Sequence, residues 1–573
     1  MNLIIEKGAI TFAPFKKLQY YTTAALFLSV YIHAQNHPSD SVHTQIQTVE
    51  LVGRKSKGYI SDYSFAATKI AMKNIDIPVT LNTITKELIT DRQAFLLGDV
   101  MKNVTGVSPS SYYNQYNIRG ISQNEEGQII NGMRTRQYYF LQPMTANIER
   151  VEVFKGPASI TMSSVDPGGT INMVTKKPLA TPRHEVSFSA GSFDTYRVAA
   201  DLTGPLNKSK TLLYRFNGAY QKANSFRDNV NNNAILISPS ITYAPNEKTS
   251  VNIELIINNL YGNLDRGQPI FGAIAGKTNL NSTPKSLNLG SPEDYFKTND
   301  ITIMGTLAHH FTKSISFNAS YMKQLWEENL QEHRTTNAFV PDINNNPVAS
   351  LAMMQFIRRK QRWAVDNVTA YFNFQYKTGS IEHQTLVGYD AHIWEKREGG
   401  YQNAARGFMM KDGTVASSYN PAHADNYEML DYNGQLILQP NVTPFDLTPG
   451  ATNYQGTDYH LLNVQTVLPT ALTTTHAVYA QHLLAWKSLK ILAGLRQEWF
   501  QDITNYKNPD ETSFRNSKLL YRLGVTYSIT DHINVYGTYL TGYQPQSNTV
   551  TLMPNTGSFT GAESAAKFKP AYL

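Results

Sequence analysis

The chain has 573 residues, no Cys, 34 Tyr, 25 Phe, only 17% charged residues and a formal net charge of +7. A chain without cysteine excludes disulfides, thiolate metal sites and a catalytic thiol. A small positive charge scattered without a Lys/Arg block is a solvated surface rather than a nucleic-acid footprint. The charged fraction is low for a soluble protein, and the length admits several ordinary domains or one very large one.

Residues 1–34 carry the three parts of an export signal: Lys16 and Lys17, the apolar run Thr22 to Ile32, and the small residue Ala34 before a polar segment. The run is too short to cross a bilayer as a helix, and no later stretch supplies the roughly 18 uninterrupted apolar residues that a membrane helix requires. Cleavage is expected after Ala34. Residues 35–74 form an N-terminal segment in which Thr48, Val49, Glu50, Leu51 and Val52 make an extended, β-branched stretch, followed by the basic linker Gly53 to Gly58. An exposed strand of this kind can add itself to the sheet edge of a partner through main-chain hydrogen bonds. An ordinary strand of the domain that follows is the other reading.

Residues 75–180 have the texture of a compact α+β domain, within the usual size range. Thr90 or Asp91 is placed to cap a helix over Arg92 to Val104, and short strands follow around Ile118, Glu149 to Phe154 and Thr170 to Thr175. The stretch ERVEVFKGPASITMSSVDPGGTINMVTKKP, residues 149–178, crowds glycine between two β-like runs. It has neither G-x-x-x-x-G-K-[ST] nor G-x-G-x-x-G, so it is not a phosphate-gripping loop. The other reading is a hinge or turn, which the glycines would also permit.

From 181 to 573 the dominant signal is alternation with a period of two. Val186, Phe188 and Ala190 oppose serines; Val251, Ile253, Leu255 and Ile257 oppose Asn252 and Glu254; Ile315, Phe317, Ala319 and Tyr321 oppose Ser316, Asn318 and Ser320. Similar runs recur through 212–220, 301–311, 363–376, 381–389, 478–485, 489–500, 519–528 and 533–539, often with aromatics near their ends. Segments of about ten residues with one apolar and one small polar face suit a membrane-spanning barrel around a wet lumen. Short turns such as Pro245-Asn246-Glu247 alternate with long polar excursions, chiefly 262–299 and 399–458. Loops of that length are usually functional. Enzyme signatures are missing: there is no H-E-x-x-H and no G-x-S-x-G, and His309 and His310 alternate across a strand and cannot point at one metal. An α+β domain in front of a polar-lined barrel reads as a plug.

Taken together, "DIPVTLNTITKELITDRQAFLLGDVMKNVTGV" (76–107), "NIRGI" (117–121), "INGMRTRQYYF" (130–140) and the 149–178 stretch, then "LLYRFNGAYQKANSFRDNV" (212–230), "LDRGQPI" (264–270), "VYAQHLLAWKSLKILAGLRQEW" (478–499) and "VYGTYLTGYQPQ" (535–546), resemble the TonB-dependent outer-membrane receptors, in their ferric-siderophore branch. The similarity runs over nearly all of the chain after the signal. It implies that the 149–178 stretch lies in a plug, where its glycines serve backbone shape and not phosphate binding.

The resemblance implies an α+β plug domain followed by a large antiparallel transmembrane β-barrel, of about 22 strands in such transporters. It implies a non-enzymatic importer of a ferric siderophore in the outer membrane of a Gram-negative bacterium. TonB, with its inner-membrane energising complex, would pair with a TonB box at Thr48, Val49, Glu50, Leu51 and Val52. Arg119 of NIRGI and Arg150 of ERVEV match plug arginines that face acids on the barrel wall, unless they support the plug's own loops. Where relatives can carry an acid, this chain reads Tyr543-Gln544-Pro545, which leaves open the wall partner of either arginine. Tyr112, Tyr113, Tyr138 and Tyr139 are the plug positions for ligand contact. Iron arrives already chelated, so neither a cofactor nor a protein metal ligand is expected. The resemblance further implies strands beyond GYQPQ, so the barrel is expected to lack its C-terminal strands. Haem, cobalamin or an oligosaccharide is the alternative cargo; a plugless adhesin or porin is the alternative of another class.

Overall fold

Within the computed structural model of the protein, residues 58–544 and 571–572 are described, apart from 62, 65–67, 71, 111–112, 124–126, 137–139, 141, 157–167, 268–282, 454–455, 461 and 466. The export signal and the Thr48 to Val52 segment lie outside the described residues.

The plug is built on a five-stranded sheet. Its strands are β1 (Thr80–Thr85), β2 (Gln128–Ile130), β3 (Met133–Arg134), β4 (Ile148–Lys155) and β5 (Gly169–Thr175), in the order β1-β4-β5-β2-β3. β5 runs parallel to β2 and antiparallel to β4. Two short helices, α1 (Lys86–Asp91) and α2 (Leu97–Met101), replace the single helix expected over 92–104. The cap is Thr85, whose hydroxyl accepts from the Leu88 N–H, and not Thr90 or Asp91. Gln93 then takes a left-handed φ of 48° and ends α1, while the Asp99 carboxylate accepts from the Leu96 N–H and opens α2. Ile89, Leu97, Val100 and Met101 pack into one apolar core with Val151, Val153 and Ile171 of the sheet.

The glycines of the 149–178 stretch act on the backbone, as expected. Gly169 has a φ of 148°, and a Cβ there would stand 2.2 Å from the Phe154 carbonyl oxygen. A Cβ on Gly168 would stand 2.6 Å from the Ile118 carbonyl oxygen. Only a residue without a side chain lets β5 lie this close to its neighbours.

The wall is one antiparallel sheet in which successive strands are neighbours: β6 (Arg183–Gly191), β7 (Thr195–Pro205), β8 (Leu212–Asn224), β9 (Asn231–Asn246), β10 (Thr249–Gly262), β11 (Tyr295–His310), β12 (Ile315–Pro341), β13 (Pro347–Thr378), β14 (Ile381–Lys396), β15 (Ala471–Trp486), β16 (Leu489–Thr504), β17 (Thr512–Ser528) and β18 (Asn534–Leu540). Among the described residues the path runs from β6 to β18. Short connections, as at 246–249, 378–381 and 486–489, mark one end; the long ones, 262–295 and 396–471, mark the other. β12 and β13 are 27 and 32 residues long. That far exceeds the roughly 9–11 residues that cross a bilayer, so their excess stands out on the long-loop side. The excursion read as loop over 399–458 carries strands of its own there, including the hairpin Met429–Tyr432 with Gln435–Leu438.

The two faces of the wall are inverted relative to a soluble sheet. On β10 Ile253 is 59% exposed, while its neighbours Asn252 and Glu254 are each 1% exposed. On β9 Ile235, Ile237, Ile241 and Tyr243 point out, and Ser238, Ser240 and Thr242 point in and are buried. On β17 Leu519, Tyr521, Leu523, Val525 and Tyr527 all point out. A surface this apolar needs hydrocarbon against it. The inner polar face, expected to line a wet lumen, is covered by the plug.

Candidate ligand face and plug clasps

On the long-loop side, the plug meets the wall through rings. Phe140 packs edge-on against Tyr113, with centroids 4.7 Å apart, and against Phe296 of β11 at 5.4 Å. Trp326 and Trp363, on β12 and β13, stack in parallel 5.4 Å apart, and Trp394 of β14 joins the same cluster. Guanidinium groups lie over these faces: Arg266 is 4.7 Å and Arg359 5.5 Å from the Phe140 centroid, and Arg136 is 3.7 Å from that of Trp394. The attraction between a cation and a ring face strengthens as water is removed. The edges of the same guanidiniums meet carboxylates, Arg266 Nε at 2.7 Å from Glu332 and Arg359 Nε at 2.7 Å from Glu328. The Tyr113 hydroxyl donates to the Asp265 carbonyl at 2.8 Å, and burial pushes that phenol up to about 12. The cluster is aromatic and largely buried, with Phe140 5% and Phe296 0% exposed, and the charges of Arg266 and Arg359 are balanced by carboxylates. Ring and guanidinium faces of this kind suit the organic part of an amphipathic small molecule.

Lower down, the plug is fastened by charge at both of its ends. At the C-terminal end the residues of "VTKKP" reach into the wall. Thr175 and Lys177 both donate to Glu254 Oε2, at 2.8 and 2.7 Å, and Lys176 Nζ lies 3.1 Å from Asp201. Arg215 grips Asp201 with Nε and Nη2, at 2.8 and 2.7 Å, and donates through Nη1 to the Lys177 carbonyl. Burial pulls the Lys176 ammonium below its usual range in spite of the carboxylate. At the N-terminal end Lys69 Nζ sits among Asp390, Thr369 and Tyr479, at 3.1, 3.1 and 2.8 Å. Asp390 also holds Arg496 at 2.8 Å, and Arg496 holds Glu498 at 2.9 Å. Asp76 takes Lys490 at 2.7 Å.

A family model described as the TonB-dependent receptor plug domain matches residues 73–170, and one described as a TonB dependent receptor-like β-barrel matches residues 251–572, more than half of the chain. The chain belongs to the TonB-dependent receptor family. This is an outer-membrane family of transporters, not of enzymes. The chain is 30% identical over 355 residues to the metal-pseudopaline receptor of Pseudomonas aeruginosa, covering 60% of this chain and 47% of that protein. It is 23% identical over 559 residues to the ferrichrome outer membrane transporter/phage receptor of Escherichia coli, covering 92% and 69%. It thus spans about half the length of the first curated relatives it matches. The fold is that of a P. aeruginosa receptor solved with bound pyoverdines, with a TM-score of 0.69 at 19% identity over 88% of this chain and 62% of the other.

For this TonB-dependent receptor, the residues expected from sequence fall as follows. Thr48 to Val52, Tyr112, Tyr138 and Tyr139 lie outside the described residues. Tyr113 stands in the ring cluster. The Arg119 guanidinium donates to Thr80 at 3.0 Å and lies beside Gly156. Arg150 Nε lies 2.8 Å from Glu152 on its own strand, and Glu152 also accepts from Asn172. These contacts of both arginines are inside the plug. The clasp residues Lys69, Lys176, Lys177, Asp201, Glu254 and Asp390, and the ring residue Phe140, were not singled out from sequence. For Lys177 the available signal was "TKKP" at the junction of plug and wall; for Glu254 it was a carboxylate on an otherwise neutral inward face.

Proposed function

We propose that this receptor imports a ferric siderophore across the outer membrane, with TonB and its inner-membrane energising complex pairing to a TonB box at Thr48 to Val52. Outer-membrane lipid surrounds the wall, and the plug closes the lumen until the energised partner acts on it. The observation that carries the reading is the cluster of Tyr113, Phe140, Phe296 and Trp394 under Arg136, Arg266 and Arg359, on the side of the long loops. Ring faces and the guanidinium planes stacked on them match the organic part of a chelate. The iron in such a cargo is already fully ligated and asks nothing of protein ligands. Similarity to a metal-pseudopaline receptor favours a second reading, in which the cargo is a chelate of another metal. Growth rescue of a deletion strain carrying the full-length gene, on a panel of ferric and other metal chelates with haem and cobalamin included, separates them. Rescue confined to ferric chelates supports the first reading. Rescue by haem or cobalamin alone overturns it.

A further inference from the structure

The two long excursions meet on one histidine of β12. The His333 side chain is 0% exposed. Its Nδ1 lies 2.7 Å from Asp294 Oδ1, at the end of the 262–295 excursion. Its Nε2 lies 2.8 Å from the Gly456 carbonyl oxygen and 3.2 Å from the Tyr459 hydroxyl, both in the 396–471 excursion. The second Asp294 oxygen accepts from the Ser291 and His333 N–H groups, each at 2.8 Å. A carboxylate and a carbonyl only accept, so acceptors at both ring nitrogens require a hydrogen on each. The ring that satisfies this geometry is the imidazolium. A neutral ring has one hydrogen, which the carboxylate holds as the stronger acceptor. Nε2 then turns a lone pair on the Gly456 carbonyl in a place without water, which is unfavourable, and accepts only from Tyr459. The other groups packed around the ring are Phe356 of β13, 4.7 Å away, and the Arg358 guanidinium, 5.2 Å from the Phe356 centroid. Asp458 and His460 flank Tyr459 in the chain. On β12 itself, Arg334 pairs with Glu332 at 3.2 Å, and Glu332 also holds Arg266 over Phe140.

We propose that His333 is a proton-operated latch between the two long excursions: its imidazolium ties Gly456 to Asp294, and loss of the proton frees the Gly456 end while the Asp294 end stays bonded. Histidine changes charge between about pH 5 and 8, so the latch is closed at the acid end of that range and open at the alkaline end. Its neighbour Glu332 holds Arg266 on the plug ring, which puts the latch beside the proposed cargo face. There His333 is a positioning residue, and the closed latch slows the escape of bound chelate. The effect on cargo rests on the import reading above; the latch does not.

His333→Asn keeps a donor for Asp294 and offers none to Gly456, and so stands in for the neutral ring. Hydrogen exchange of the purified full-length receptor without cargo, with variant and unaltered protein compared at the same pH, reads the latch directly. At about pH 5.5 amides 456–460 exchange about tenfold faster in the variant, the scale of one charge-assisted hydrogen bond, and at about pH 8 the two proteins agree. Amides 291–294 agree throughout. No difference at the acid pH, or the same difference at both, overturns the proposal and leaves the import reading standing. Tyr459→Phe keeps the histidine and removes the hydroxyl from which the neutral ring accepts. It loosens 456–460 at about pH 8 and not at about pH 5.5, and the opposite order overturns the proposal. For cargo, dissociation of the rescuing chelate from the unaltered receptor is about fivefold faster at the alkaline pH, and His333→Asn shows the faster rate at both. Equal rates from the unaltered receptor overturn the positioning role. A receptor that binds no chelate overturns the import reading instead, and the exchange result still decides the latch.

Discussion

Glu254 accepts from Thr175 and Lys177 with one oxygen, 1% exposed, on a wall strand whose outward neighbours meet lipid. Replacing it by glutamine leaves the Lys177 ammonium without its counter-charge in a dry site, which costs about 3–5 kcal/mol when one member of a buried pair is removed. Glu254→Gln is expected to loosen the C-terminal end of the plug, read as faster hydrogen exchange over 169–177; unaltered exchange would show the pair to be incidental. Gly169→Ala is expected to destabilise the plug by about 1–3 kcal/mol, the scale of a residue forced into an unsuitable backbone state, because its Cβ would collide with Phe154. Gly537→Ala, where a Cβ meets nothing within 4 Å, is the matched control. Thermal unfolding of the two variants side by side decides the point. Glycine's role here was legible only once the resemblance of the stretch to a plug was added to the missing phosphate-loop spacing. The clasps were not, because 177 and 254 are far apart in the chain and a single sequence carries no sign that they meet. Phe140 is hidden for a different reason: it ends the run "QYYF" and has no hydroxyl to set it apart from an ordinary packing ring.

Among elements, the wall strands were the most legible, since alternation with a period of two is imposed at every residue by the lipid outside and the polar interior within. What alternation does not specify is length. The strand expected over 363–376 runs from Pro347 to Thr378, because beyond the bilayer it pairs with β12 and buries neighbours such as Leu351 and Ala352 on both faces against the long excursions, which erases the period of two. The helix over 92–104 was misplaced because Gln93 breaks it without a glycine to flag the break. The outward face gives a test of membrane embedding. Ile253→Arg, at a 59% exposed position, would be nearly neutral on a soluble protein, where surface changes stay within about 0.5 kcal/mol. In a bilayer it costs about 2–4 kcal/mol near the midplane. Reduced assembly in outer membranes is the expected outcome, and normal assembly would contradict the lipid-facing assignment. On the inner side, Phe140→Ala removes the ring shared by Tyr113, Phe296, Arg266 and Arg359, and chelate affinity is expected to fall by the roughly 2 kcal/mol or more of an aromatic hot spot, about 30-fold. Direct binding to the purified receptor measures it.

For the molecule as a whole, the proposed function puts ligand capture and energy supply at opposite ends of one lumen, which makes them separable. In the proposed reading, the rings and guanidiniums on the long-loop side hold cargo, and the segment ahead of Gly58 receives the partner. A proline at Val49 removes a main-chain donor from the strand that the partner must pair with. Val49→Pro is therefore expected to bind chelate at the cell surface as the unaltered receptor does, and to import none. The measurement that bears most directly on energised import is accumulation of radioactive iron from the rescuing chelate, in cells carrying the full-length gene, with and without TonB. Surface binding equal in both strains, with accumulation only where TonB is present and Val49 intact, is the predicted result. Accumulation that continues at the same rate without TonB, or with Val49→Pro, would contradict it.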